Sequence, residues 1–243
     1  MKLVSNVVVL VLLSAFAAVC VLWGVAALFG GNPLSGVIVL IFALACIAFS
    51  AQWAVMRWSP NPRVEYSQIG TTVRPRKLFD ILSITWVGAA LLAALLYIVF
   101  VPLGLVDIPT YRSSLSWLAI FLVVAGVPTL WRMVAHGGDS YLRLTPTGCE
   151  VWNGQWLTLR RADWKDIERI EDQPPRRTIR GRDLVVLVLA DDRSATLLAD
   201  ALTPNVQALR EWVRFYWQHP ECRIELSDDR GLKRLNEKKF SFD

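Results

Sequence analysis

Four apolar stretches, at about 4–29, 34–56, 80–103 and 115–134, fill most of the first 134 residues. A helix needs roughly 20 predominantly apolar residues to cross the hydrocarbon of a bilayer. Charges are missing from the centres of all four stretches; Asp80 and Arg132 stand at ends. Hydrocarbon supplies no water to stray backbone groups, so runs of this length can persist there only as helices or closed barrels. The sequence therefore predicts four transmembrane helices. "AAVC", ending at Cys20, faintly resembles a lipoprotein cleavage site, but Val19 suits one poorly and the apolar run continues to Phe29. The core of a signal peptide spans only about 7–15 residues, and the first stretch is read as a retained helix.

The links between the stretches set their direction. "GGNP", Gly30 to Pro33, is short and uncharged, and the link near 104–114 carries only Asp107 and Arg112. The middle link, "RWSPNPRVEYSQIGTTVRPRK", holds Arg57, Arg63, Arg74, Arg76 and Lys77 against the single acid Glu65. Excess Lys and Arg marks the cytoplasmic side of a membrane. Residues 57–77 are thus expected inside, the other two links outside, and both termini in the cytoplasm. Arg132 agrees, and Trp53, Trp58 and Trp131 fall where interfacial aromatics are expected. The expected location is the plasma (inner) membrane.

Hydrophobic residues make up 54% of the 243, above the roughly 45–50% usual in soluble domains. Eight of the 26 basic and three of the 21 acidic residues lie in 1–134, so the net charge of +5 belongs to the apolar half. Basic residues that flank apolar segments point to membrane lipids as partners and away from nucleic acid. No acid, histidine or arginine lies inside the spans, which speaks against a pump or proton-coupled carrier acting alone. Small residues recur four apart at Cys46, Ser50 and Ala54 and at Ala89 and Ala93. That spacing permits close helix packing, whether as ordinary span composition or as a face for a partner helix.

After residue 135 the pattern changes to short strands. "YLRLT" and "CEVWN" flank a "PTG" turn, "WLTLRRA" and "WKDIERIED" follow, and "DLVVLVLA" and "SATLLA" flank "DDR" as a second hairpin. One amphipathic helix closes the set, with Thr203 as expected N-cap, Pro204 in the first turn, and Val206, Leu209, Val213 and Tyr216 on one face. About six strands and a terminal helix predict a cytosolic α+β domain, a partly open β-barrel plugged by one C-terminal helix. The expected division is 1–135 for the membrane domain, 136–220 for the cytosolic domain and 221–243 for a basic amphipathic tail.

The "LTPTG" turn, Trp164, Asp166 and Ile167 of "WKDI", the "DDR" hairpin and the helix ending in "HPE" resemble bacterial pleckstrin-homology-like (PH-like) domains appended to membrane helices. With four spans in front, the layout is similar to actinobacterial lipid uptake coordinator (Luc-type) proteins. These are accessory subunits of mammalian-cell-entry (Mce) lipid importers. The resemblance implies a non-catalytic subunit that stabilises or coordinates the permease and ATPase of such an importer. The first hairpin loop, "TPTG", lacks the basic residues with which phosphoinositide-binding members of the fold grip phosphates. The alternative is a membrane-anchored module that senses anionic lipid at the inner leaflet.

Little else in the sequence carries chemistry. Arg176, Arg177, Arg180 and Arg182 form a second basic cluster, read either as a solvated loop or as a contact for lipid or partner. Cys20, Cys46, Cys149 and Cys222 have no metal or disulfide spacing. His219 precedes Pro220 as a helix cap, and His136 falls in a linker. No nucleophile elbow, phosphate loop or convergent ionisable set appears. The chain is expected to be no enzyme and to need no cofactor and no metal.

Overall fold

The computed structural model describes residues 2–58, 62–106, 114–154, 156–174, 184–190, 193–238 and 240. Two compact units emerge, Met1–Val55 with Leu78–Gly138 and Met56–Lys77 with Asp139–Asp243. The first is helical and the second is built mainly of sheets.

The helical unit holds α1 (Lys2–Phe29), most of α2 (Pro33–Trp58), α3 (Lys77–Phe100) and α4 (Ser114–Ala135). All four are long and apolar enough to cross a membrane, and the protein is a membrane protein. Where α1 meets α2, glycines allow the backbones to touch. A Cβ on Gly36 would sit 2.8 Å from the Gly24 carbonyl oxygen, and one on Gly24 would sit 2.8 Å from the Leu40 side chain. Nearby, Cys20, Val39 and Ala43 pack as one buried cluster.

The α2–α3 contact is a ladder of antiparallel pairs. Gln52 Nε2 donates to Ser83 Oγ at 2.5 Å, Phe49 meets the edge of Trp86 at 5.4 Å, and Ala45 packs with Ala89 and Ala90. Small side chains bring the helices close, and a side-chain hydrogen bond in hydrocarbon contributes about 0.6 to 2 kcal/mol. Along α4, by contrast, only Ala119 and Met133 are buried, and Trp117, Phe121, Val124 and Trp131 are exposed.

The second unit contains two antiparallel sheets. One runs in the order β1 (Arg63–Ser67), β2 (Gly70–Arg74), β3 (Ser140–Leu144), β4 (Gly148–Asn153) and β5 (Thr158–Asp163). The other holds β6 (Ile167–Glu171), β7 (Leu184–Leu189) and β8 (Ser194–Leu198). A single turn of 3-10 helix, Trp164–Asp166, leads from one sheet to the other. Asn153 Nδ2 reaches across to the Thr196 carbonyl at 2.9 Å. No closed barrel forms among the described residues.

Alternation decides which side chains meet the core. Val73, Leu142, Leu144 and Val151 face inward from the first sheet, and Val185, Leu187 and Leu197 from the second. Leu184, Val186 and Val188 are buried as well, so β7 has no wet face; its unbroken apolar run is the sequence mark of that situation. Helix α5 (Val206–Gln218) lays Leu209, Trp212, Val213 and Tyr216 on the core. Its N-cap is Asn205, whose Oδ1 accepts from Ala208 N–H at 2.9 Å. Thr203 was the expected cap. Its hydroxyl oxygen instead accepts the Asn205 N–H at 3.2 Å, one turn step too early to cap the helix.

Two expected boundaries need correction. Residues 63–74 do not form a bare link within a 1–135 membrane domain. They make the β1–β2 hairpin, and β2 pairs with β3 through Thr71 with Leu144, Thr72 with Arg143 and Val73 with Leu142. The short alternation "TTV" supplies that edge, and Val73 sinks into the core. Nor is 221–243 a tail lying apart from the domain. Pro220–Ser227 coils as 3-10 helix and α6 (Asp229–Glu237) follows. Leu226 is fully buried, Leu235 and Phe240 pack on the core, and Trp212 Nε1 donates to the Gly231 carbonyl at 3.0 Å. The amphipathicity of that stretch serves the domain's own core.

Candidate functional site

The basic residues of 57–77 reach defined places. Arg57, in the last turn of α2, lies 4.0 Å from the buried carboxylate of Asp200. Arg63 pairs with Glu65 on β1 at 2.9 Å. Arg76 and Lys77 are exposed at the start of α3, and Arg132 is exposed in the last turn of α4. Trp58 and Trp131 are exposed beside them, while Trp53 is half-buried.

On the first sheet, the face opposite the core collects charge. Alternation puts Arg63 of β1, Thr72 and Arg74 of β2, Tyr141 and Arg143 of β3, Glu150 of β4 and Arg161 of β5 on that side. The guanidinium groups of Arg74 and Arg143 lie 4.7 and 5.6 Å from the centre of the Tyr141 ring, within cation–π range. Arg143 Nε donates to Thr72 Oγ1 at 3.1 Å, and Arg161 Nε donates to Glu150 at 2.9 Å. The Tyr141 hydroxyl donates to the other oxygen of Glu150.

Electrostatics follow from this arrangement. Burial pushes the Tyr141 phenol up to about 12, helped by the hydrogen bond to Glu150 and by its charge. Burial also opposes ionisation of Glu150, but hydrogen bonds from Tyr141 and Arg161 and the neighbouring Arg161 and Arg143 charges outweigh it. Its carboxyl is held below the usual range, so at neutral pH Glu150 stays ionised among arginines, with Glu65 of β1 on the same side. Such a surface can hold an anion or lie against an acidic one; it offers no base near neutral pH.

Nucleophilic and metal chemistry find little support among the described residues. All four cysteines are free, and burial pushes the Cys149 thiol up to about 12, which suppresses the reactive thiolate. His219 stacks on Phe215 at 4.7 Å and meets Glu221 at 3.2 Å at the end of α5, the capping place expected for it. No group of three or more His, Cys, Asp or Glu side chains converges as a metal site among the described residues.

The remaining candidates divide. Arg176, Arg177, Arg180 and Arg182 lie outside the described residues. Of the small-residue positions, Ala89 packs against α2 with Ala45. Ser50 and Ala54 line a groove with Ser14, Ala17 and Ala18 of α1, and the Ser50 hydroxyl donates to the Cys46 carbonyl at 2.8 Å. Ala93 lines a different cavity. The four-residue spacing thus serves three distinct surfaces rather than one face. Gln52 and Ser83, which hold α2 to α3, were not singled out in the sequence, although a glutamine within an apolar span was signal enough.

Comparison with protein-family models, with curated proteins and with solved structures finds no match to this chain.

Proposed function

We propose that the protein is a non-catalytic accessory subunit of a multi-subunit membrane complex, as its resemblance to Luc-type proteins implies. The complex would be an Mce-type importer of fatty acid or sterol, whose permease and ATPase this subunit stabilises or coordinates. Two antiparallel sheets left open and followed by a helix are the layout of a PH-like domain, with β1 and β2 as added strands. The observation that carries the reading is the pairing of β2 with β3. One strand lies between α2 and α3 and the other follows α4. Paired strands must occupy one side of a bilayer, so α3 and α4 cross out and back. The Lys and Arg excess assigns that side to the cytoplasm. The chain passes between spans and sheets three times, after α2, before α3 and after α4. A domain fastened at three points suits a part that braces other subunits better than a module that searches on a tether.

A second reading is favoured by Arg74 and Arg143 on the sheet and by the exposed Arg76, Lys77 and Arg132. Basic side chains near an anionic leaflet contribute about 1 kcal/mol each, which fits a module sensing anionic lipid. Affinity purification of the full-length protein in mild detergent separates the two. Permease and ATPase subunits in fixed ratio are expected. Recovery of the protein alone, with tight binding to phosphatidylglycerol vesicles, would assign the sensing role and contradict the accessory one.

A further inference from the structure

Strand register gathers the passages to the membrane helices at one end of the first sheet. β1 starts at Arg63, opposite Arg74 at the end of β2, and the pairing of Val73 with Leu142 puts Arg74 beside the start of β3. The chain arrives from α2 before Arg63, leaves for α3 after Arg74 and returns from α4 before Ser140. Lys77, the first residue of α3, stands three residues beyond Arg74, a reach of about 11 Å at most. The β1–β2 and β3–β4 turns lie at the opposite end, where Ser67 pairs with Gly70 and Leu144 with both Thr71 and Cys149. The β4–β5 turn shares the end with the passages, because Asn153 pairs with Ser140 on one side and Thr158 on the other.

That turn is fastened to the segment that leaves α4. Gly138 N–H donates to the Met133 carbonyl in the last turn of α4 at 2.9 Å, and the carbonyl of the next residue, Asp139, accepts the Gly154 N–H at 2.7 Å. The approach leaves no room for a Cβ on Gly154. Trp156 N–H donates to Oδ1 of the buried Asn153 at 3.3 Å, which holds the backbone while the indole stays 42% exposed. Leu157 follows with a φ of 52°, left-handed backbone that a bulky side chain rarely adopts. Turns usually take Gly, Asn, Asp or Ser at such places; here a tryptophan and a leucine stand side by side.

We propose that Trp156 anchors the sheet domain to the bilayer, seated with Leu157 in the head-group layer of the leaflet where α4 ends. This layer extends about 5–7 Å beyond the hydrocarbon on each side. Tryptophan favours it, because the ring is apolar and the indole N–H finds polar partners there. Trp131, exposed near the end of α4, marks the same layer. A turn already held by hydrogen bonds gives up little freedom on insertion. The contact asks for no particular lipid charge and stands whether or not the protein joins an importer.

The test uses the wild-type full-length protein in phosphatidylcholine nanodiscs with a trace of phosphatidylethanolamine bearing a diazirine on its head group. After irradiation, adducts are mapped by peptide mass spectrometry. They are expected on 154–157 and around Trp131, and at background on 67–70, the turn at the far end of the sheet. Trp156→Ser should abolish the 154–157 adducts and leave those around Trp131 unchanged, whereas Trp156→Phe should retain them. Exchange of phosphatidylcholine for phosphatidylglycerol should leave the 154–157 yield as it was. Equal labelling of the two turns, or adducts on 154–157 that survive Trp156→Ser, overturns the proposal. Adducts that appear only in phosphatidylglycerol also overturn it and assign the contact to arginines. Absence of adducts on 154–157 while Trp131 is labelled overturns it and leaves Trp156 to a protein partner.

Discussion

The hydroxyl of Thr71, on the hairpin between α2 and α3, donates to the carbonyl of Leu226 at 2.8 Å, across 155 residues of sequence. Both groups are buried. The bond joins the segment inserted between two membrane helices to the 3-10 helix Pro220–Ser227 that precedes α6, and it explains why neither part behaves as an appendage.

Thr71→Val keeps the shape of the side chain and removes the donor, leaving the Leu226 carbonyl without it. A buried group stranded in this way costs about 1–3 kcal/mol. Thermal unfolding of the full-length protein in detergent should show that loss. Ser67→Ala, at the exposed end of β1, should change stability by less than about 0.5 kcal/mol.

Within the membrane helices, Ser83→Ala removes the acceptor of Gln52 Nε2 and should lower stability by about 1 kcal/mol. Gln52 Oε1 has no hydrogen-bond partner among the described residues. Gln52→Leu therefore removes an unmet polar atom together with the bond, and should cost less than Ser83→Ala. Unfolding in mixed micelles with increasing dodecyl sulfate ranks the two variants.

Acid should weaken the sheet domain through Glu225. Two hydrogen bonds from Arg234, at 2.9 Å each, hold the Glu225 carboxyl below its ordinary range, with help from the Tyr216 hydroxyl. A carboxyl with a depressed folded value stabilises fully above its unfolded value of about 4.3 and loses that contribution as pH falls through the folded one. Glu225→Gln should thus be less stable than wild type by about 1–3 kcal/mol at pH 7. The gap should close on acidification below about pH 4, as read by melting temperature against pH.

Membrane sidedness is open to thiol labelling in a variant with Cys20, Cys46, Cys149 and Cys222 replaced. Ile69→Cys, at the exposed hairpin tip, and Ile224→Cys, exposed after α5, should react with an impermeant maleimide only after cells are opened. Phe29→Cys, exposed at the end of α1, should react in intact cells. A reporter fused after Asp243 should be active in the cytoplasm.

Much of this architecture was legible in the residues. Spans of 20 or more apolar residues admit few alternatives in a bilayer, and the six strands after Gly138 show as short alternating runs, or in β7 an unbroken apolar run, between turn signals. The β1–β2 hairpin was hidden by its neighbours. Three prolines and five basic residues in 57–77 read as a loop, while the pairing that orders Gly70–Arg74 comes from β3, nearly 70 residues later. Sequence windows see local preference and miss such distant partners. The closing segment misled for a related reason: α6 is amphipathic, and nothing local says whether its apolar stripe meets lipid, a partner or its own core. On the basic face, charge was legible but pairing was not, since Glu150 meets Tyr141 and Arg161 only once β3, β4 and β5 align.

The hairpin's place in the sheet is tested most directly by joining β2 to β3. In the same cysteine-free background, Thr72→Cys and Arg143→Cys stand opposite each other in the register. A short bis-maleimide applied to opened membranes should link them within one chain, seen as one closed loop by peptide mapping. Failure to link while both thiols remain reactive, or labelling of the two from opposite sides of the membrane, would contradict a sheet shared by the hairpin and the chain beyond α4.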